Sequence, residues 1–320
     1  MEAPSVFDSE EITRTQPHIS RVKQIWAVGG GKGGIGKSLL ASNLAIALSR
    51  FGHSVTAIDL DLGGANLHTT LGVDLPKKTL SDFISGRVLS LKECLVPTGI
   101  PNLNIISGAQ DSVKITEISR GQKNQLIDQF RDLDTDYIIF DLGAGTSDYT
   151  LDFFLAADIP IFAILPEPTS IENSYRFIKA AYYRKLWKSR HLEDIRPLIE
   201  IAMDPQNTLG IRSPSDLFRE VSRTKPEAAT RLKREIELFR PKLIVNQART
   251  QTDVEIGNSV KAVCKKYFGI EVDFMGHLDY DSAVWQSVRR KRPLILEFPN
   301  SRLVSCLDRI TRHILKQYGQ

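Results

Sequence analysis

The chain has 320 residues, room for one large α/β domain or two small ones. Its 42% hydrophobic and 25% charged content is that of a globular chain with a sizeable core, and no apolar run is long enough to span a bilayer. A net charge of +4 is too mild to imply nucleic-acid binding by itself. Cys94, Cys264 and Cys306 are far apart with no C-x-x-C, which argues for reduced thiols in a cytosol and against an Fe–S cluster or zinc site built within one chain. Residues 1–20 are polar with both charge signs and read as a flexible lead-in, not a secretory signal; residues 21–320 read as a single domain.

The first strand is expected at Val22–Val28 and the first helix from about Gly36 to Phe51, with Gly52 as its stop. Between them lies G-x-x-x-x-G-K-[ST] at Gly31, Lys32, Gly33, Gly34, Ile35, Gly36, Lys37 and Ser38. Glycines let backbone N–H groups approach an anion, and the helix N-terminus adds free donors and its positive dipole end. Lys37 brings a full charge to the β/γ-phosphates and the Ser38 hydroxyl ligates Mg²⁺. Gly31–Gly36 also satisfies the dinucleotide pattern G-x-G-x-x-G, with Asp59 as an acidic partner, but that pattern does not require the Lys37-Ser38 pair.

Lys32, a second lysine inside the loop, completes K-G-G-x-G-K-[ST]. With it the sequence resembles the MinD/ParA family of dimerising ATPases, and the resemblance spans residues 22–186 and 241–316. It implies a doubly wound, mostly parallel sheet, ATP and Mg²⁺ as ligands, Leu39 among the nucleotide-binding residues, and a Lys32 that crosses a dimer interface to the partner's nucleotide.

Val55–Asp61 reads as the second strand, ending in Asp59 and Asp61. Ligands sit at the carboxyl ends of strands in an open parallel sheet, so these acids face the phosphate loop and can hold metal-bound water or orient the attacking water. The run from Asp59 to Leu67 is similar to the family's switch I, which implies that Asp61 places the hydrolytic water. Thr79–Gly86 is a capped short helix, Leu103–Ile106 a strand and Ser119–Leu133 a polar helix.

Tyr137–Asp141 is an apolar run ending in a carboxylate, the pattern that delivers an acid to the Mg²⁺ shell from a central strand. Gly143 and Gly145 follow, and a glycine there lets a backbone N–H sense a γ-phosphate. Asp141-Leu142-Gly143-Ala144-Gly145 and Pro166-Glu167-Pro168-Thr169-Ser170 are similar to the flagellar-number branch of the family, FlhG/FleN. Ile161–Leu165 is a strand and Glu172–Lys188 a helix, with its cap at Thr169 or Ser170.

Residues 187–240 interrupt the α/β rhythm with helices at 192–203, 214–224 and 226–239, a helical insertion read as a partner or dimer-rim surface. Leu243–Asn246 returns to a strand; Asn246 can offer an amide to a base edge, and the resemblance makes it the adenine reader. A helix at 253–268 and a strand at 272–276 follow. His277–Val284 resembles the loop over the base, with Asp279 where the family has Pro; Leu278 falls in that nucleotide-binding segment. Arg289–Arg292 is a basic run, read as a solvated loop that could touch anionic lipid or DNA phosphates. Ser301–Tyr318 is an amphipathic helix that either packs on the sheet or lies reversibly on a membrane.

Five motifs in order imply a Mg-dependent ATPase that is cytoplasmic, dimerises with ATP, and positions a division site or flagella. The competing readings are a DNA-partitioning ParA-like ATPase, which needs a basic surface, and a metabolic or Fe–S carrier, which lacks its paired cysteines here.

Overall fold

The computed structural model describes residues 24–108, 118–204, 206–207, 209–211 and 213–319. The expected lead-in, residues 1–20, and the first residue of the expected opening strand, Val22, lie outside them.

Eight strands form one sheet: β1 (Gln24–Gly29), β2 (Val55–Asp59), β3 (Val96–Pro97), β4 (Leu103–Ile106), β5 (Tyr137–Asp141), β6 (Ile159–Ile164), β7 (Lys242–Ala248) and β8 (Asp273–Asp279). Their order is β3-β4-β2-β5-β1-β6-β7-β8; every pairing is parallel except the short β3 against β4. β1, β2 and β5 lie in the middle of the sheet with both faces covered, and every residue of β2 and β5 is buried.

The helices are α1 (Lys37–Arg50), α2 (Leu67–Thr70), α3 (Leu80–Ile84), α4 (Arg120–Arg131), α5 (Asp148–Ala156), α6 (Pro168–Lys188), α7 (Arg196–Met203), α8 (Pro214–Thr224), α9 (Pro226–Glu237), α10 (Gln251–Val263), α11 (Ala283–Arg290), α12 (Leu294–Glu297) and α13 (Arg302–Tyr318). Capping boxes start several of them, pairing Thr79 with Asp82, Ser119 with Gln122, Ser213 with Asp216 and Thr250 with Asp253. The sheet divides two cores. One joins β1, β5 and β6 to α4, α5 and α6; the other joins them to α1 and α13.

Two expectations change here. Helix α6 begins at Pro168, not Glu172, and its N-cap is Glu167 with no side-chain cap; Ser170 instead accepts from Leu165 N at 2.9 Å. Only half of the basic run is loop: Arg289 and Arg290 close α11, and Lys291, with φ 52°, and Arg292 follow it. In the insertion, Ile195, Ile199, Leu217, Val221 and Leu232 join the core under α6. Helix α13 packs on the sheet through Leu303, Leu307, Ile310 and Ile314, the first of the two alternatives for that segment.

One buried carboxylate ties three helices together. Asp152 on α5 is 1% exposed and accepts from Lys123 of α4 and from Arg184 and Lys188 of α6. Burial alone raises such a carboxyl, but Arg184, Lys123 and Lys188 outweigh it and hold it well below the usual range. Its stabilisation is therefore present above the unfolded carboxyl's range and is lost only as pH falls through the depressed native one. Asp152→Ala strands Lys123, which is buried, and Lys188, while Arg184 keeps Asp148, and is expected to cost about 3–5 kcal/mol in urea unfolding at pH 7. A loss under about 1 kcal/mol would show the hub to be incidental.

Candidate functional site

Residues 30–36 form the loop between β1 and α1. Its conformation leaves little choice of residue. A side chain at Gly31 would collide with the Asn173 carbonyl of α6, and Gly36, at φ 87°, presses against the Asn246 amide. Gly33 and Gly34 have open space over them. Helix α1 starts directly at Lys37 with no side-chain cap, so its first N–H groups face the loop and can take an anion.

Lys37 is 8% exposed and donates to the Lys32 carbonyl at 3.3 Å, curling under the loop. Burial lowers its pKa, while Asp141 and Asp61 pull it back up. The acids stand at the ends of the neighbouring central strands. Asp59 and Asp141 are in-register partners of β2 and β5, and both are buried. Asp59 accepts from Asp61 N and Leu67 N, each at 3.0 Å. Burial pushes Asp59 up to about 6, with those two backbone bonds opposing and the Asp61 charge adding. Asp141 is pushed well up by burial and by Asp59, against Ser38 and Lys37.

One Asp141 oxygen, Oδ1, is buried with no hydrogen-bond partner. An orphaned carboxylate oxygen beside a second buried carboxylate and the Ser38 hydroxyl is an all-oxygen donor set suited to a hard divalent cation. Mg²⁺ would suit this donor set, with Ser38, Asp59 and Asp141 as the residues that would hold it.

Asp61 lies past the end of β2, against Gly64 and Gly143, where an added Cβ would sit 3.5 and 3.3 Å from its carboxylate. It lines a cavity of about 400 Å³ with Gly63, Gly143, Ala144 and Ser147. Gly145, at φ 94°, donates its N–H to the Gly30 carbonyl at 3.3 Å, so the loop after β5 docks on the phosphate loop. A larger cavity, about 580 Å³ between α6 and α7, contains none of the site residues expected from the sequence.

Three comparisons bear on this geometry. The ParA family, described as NUBPL iron-transfer P-loop NTPase, matches residues 21–177. The antiactivator FleN of Pseudomonas aeruginosa is 28% identical over 283 residues, covering 87% of this chain and 81% of FleN. The flagellum site-determining protein YlxH of Helicobacter pylori is 34% identical over 48% of this chain and 52% of its own length. The septum site-determining protein MinD of Pyrococcus horikoshii, complexed with Mg-ADP, superposes with TM-score 0.63 at 20% identity, covering 93% of this chain and 98% of that one.

Over residues 21–177, just under half of the chain, the sequence matches the ParA family of P-loop NTPases, and the whole described chain shares the fold of MinD. The family's proteins are ATPases. The eight-stranded, mostly parallel sheet is the family's fold.

Most of the residues singled out in the sequence gather at the carboxyl edge of β1, β2 and β5: Gly31–Ser38, Asp59, Asp61, Asp141 and Gly145. Leu39 is half-buried on the first turn of α1. Leu278 does not join them; it is 1% exposed in the core with α13, since the alternation of β8 turns it inward. Asn246 is 1% exposed, its Nδ2 donating to the Ile35 carbonyl at 2.8 Å and its Oδ1 accepting from Gln247 N at 2.9 Å. It clamps the phosphate loop, and its contact with adenine stays a proposal.

Lys32 reaches back to its own chain, to Glu167 Oε2 at 3.3 Å and Thr169 Oγ1 at 3.2 Å. Those partners were missed because their segment reads as a rigid turn; a carboxylate and a hydroxyl after β6, at a strand end facing the loop, were the available signal.

The two buried acids give a pH test. A carboxyl raised in the folded state from 3.8 to about 6 contributes stability below the lower value and loses it as pH climbs through the higher. Melting temperature without divalent cations should therefore fall between about pH 4 and about pH 6, and the gain on adding Mg²⁺ should grow across the same window. Both slopes should shrink in Asp59→Asn. Differential scanning fluorimetry reads this directly; a Mg²⁺ gain independent of pH would contradict it.

Proposed function

We propose that this chain is a Mg-dependent ATPase that works as an ATP-driven dimerisation switch in spatial regulation of flagella or the division site. The observation that carries it is the phosphate loop with a second lysine, Lys32, resting on exposed partners beside the acids at the β2 and β5 ends. YlxH, named a flagellum site-determining protein, supports the flagellar form of this role, and the antiactivator FleN resembles the chain over most of its length.

In this reading Lys37 and the α1 N-terminus bind the phosphates, Ser38 and Asp141 hold Mg²⁺, and Asp61 orients the water. Bound γ-phosphate competes with the Gly30 carbonyl for the Gly145 N–H and reorders the loop after β5. Lys32 leaves Glu167 and Thr169 for a partner's nucleotide; its exposed ion pair is worth under about 1 kcal/mol and yields readily. An Fe–S carrier reading lacks ligands, since the three cysteines are buried and separate.

Lys37→Ala should weaken ATP binding about 10- to 100-fold, the value of a hydrogen bond to a charged group. Asp61→Ala should bind ATP and stay dimeric, and Lys32→Ala should bind ATP but elute as a monomer. Light scattering after gel filtration with ATP separates these outcomes. A monomeric Asp61→Ala protein would sink the switch.

The same role needs a matrix to act on. Among the described residues no helix is long and apolar enough to cross a membrane. Helices α11 and α12 instead expose Trp285 (64%), Val288 (44%) and Leu296 (52%) beside Arg289–Arg292, and α11 touches α2, just after the switch I segment. Apolar side chains among cations suit an anionic lipid surface better than DNA phosphates. ATP-loaded protein should sediment with anionic vesicles, and Trp285→Ser should abolish this without changing ATP binding; binding to duplex DNA but not to vesicles would reverse the choice.

A further inference from the structure

We propose a second metal site, for a transition ion of the Zn²⁺ class, at the end of β8, built from residues other than the phosphate loop and its acids. His277 and Asp279 lie on β8 and Cys306 on α13; a ring nitrogen, a carboxylate oxygen and the thiol sulfur all come within 4.8 Å of one another. The His277 and Asp279 atoms are 3.3 Å apart. A tetrahedral Zn²⁺ with bonds of about 2.0–2.3 Å needs ligand separations of about 3.3–3.8 Å. The imidazole and carboxylate already have that spacing, and the sulfur must come in by about 1.5 Å at most, within the reach of a side-chain rotation.

The donor set selects the ion. Nitrogen, sulfur and one oxygen suit Zn²⁺ or Co²⁺ and are poor ligands for Mg²⁺, whose all-oxygen site lies at the β2 and β5 ends. The charges balance: neutral His277 with one thiolate and one carboxylate cancels a divalent cation. Cys306 is 5% exposed, whereas His277 and Asp279 are half-open, so the ion has an entry path and room for water as a fourth ligand. Arg309 Nη2 now donates to the Cys306 sulfur at 3.3 Å. Arg309 is exposed and can turn to solvent when an ion takes its place. Binding forms a metal–sulfur bond and releases the thiol proton to water, so affinity falls as pH drops.

The site would act on a segment that is already tied. Just after Asp279, Asp281 accepts from the hydroxyl of Ser301, the N-cap of α13. A bridging ion would add a second link between the end of β8 and α13, and so stiffen the 277–284 loop.

The test is Co²⁺ titration of the full chain saturated with Mg-ADP, so that the nucleotide's metal site is filled. One equivalent should bind with a near-ultraviolet thiolate-to-cobalt charge-transfer band. Cys306→Ser should remove the band; since Cys306 is buried, His277→Gln and Asp279→Asn provide half-exposed variants that leave the core intact. Each should weaken binding tenfold or more, and Zn²⁺ should displace the cobalt and erase the band. No charge-transfer band, or a band unchanged in His277→Gln and Asp279→Asn, overturns the site whatever the ATPase activity of the protein.

Discussion

Two carboxylates, Asp59 and Asp141, end adjacent parallel strands in register and out of water. Buried like charges at neighbouring positions are unfavourable unless protonated or joined by a cation. The surrounding loops answer that constraint: Ser38 and Lys37 approach from the phosphate loop, and two backbone N–H groups cap Asp59. A phosphate loop beside this acid pair suits an occupant that carries both a divalent cation and anionic oxygens.

The proposed switch rests on how lightly the remaining parts are held. Lys32 rests on an exposed carboxylate and a hydroxyl, and Gly145 on a single carbonyl at 3.3 Å. Both contacts are weak enough for a ligand to exchange. By contrast Asn246, buried and bonded on both of its amide atoms, and the Asp152 hub under α4, α5 and α6 are costly to disturb. The molecule thus combines a rigid cradle with loosely tethered sensors.

Much of this was legible from residue order. The phosphate loop, the Asp-ended strands β2 and β5, the capping boxes at Thr79 and Ser119 and the Pro-started α8 carry local signals with short-range causes. Helices α11 and α12 were not legible, because Arg289 and Arg290 read equally well as solvated loop and as helix end. Nor was Leu278, where the strand's length and bulge decide which face turns inward. The partners of Lys32 lie 135 and 137 positions away, beyond the reach of any local pattern.

By itself the sequence determined the chemistry: a triphosphate loop with a doubled lysine, carboxylates at two strand ends, a parallel sheet and an amphipathic final helix. These depend on spacing along the chain, which is visible in one dimension. Only the tertiary structure decided that Asp59 and Asp141 share a register, that Asn246 clamps the loop, that three cations converge on Asp152, and that His277, Asp279 and Cys306 meet. Those facts come from packing between distant segments, where burial and charge act through space rather than along the backbone.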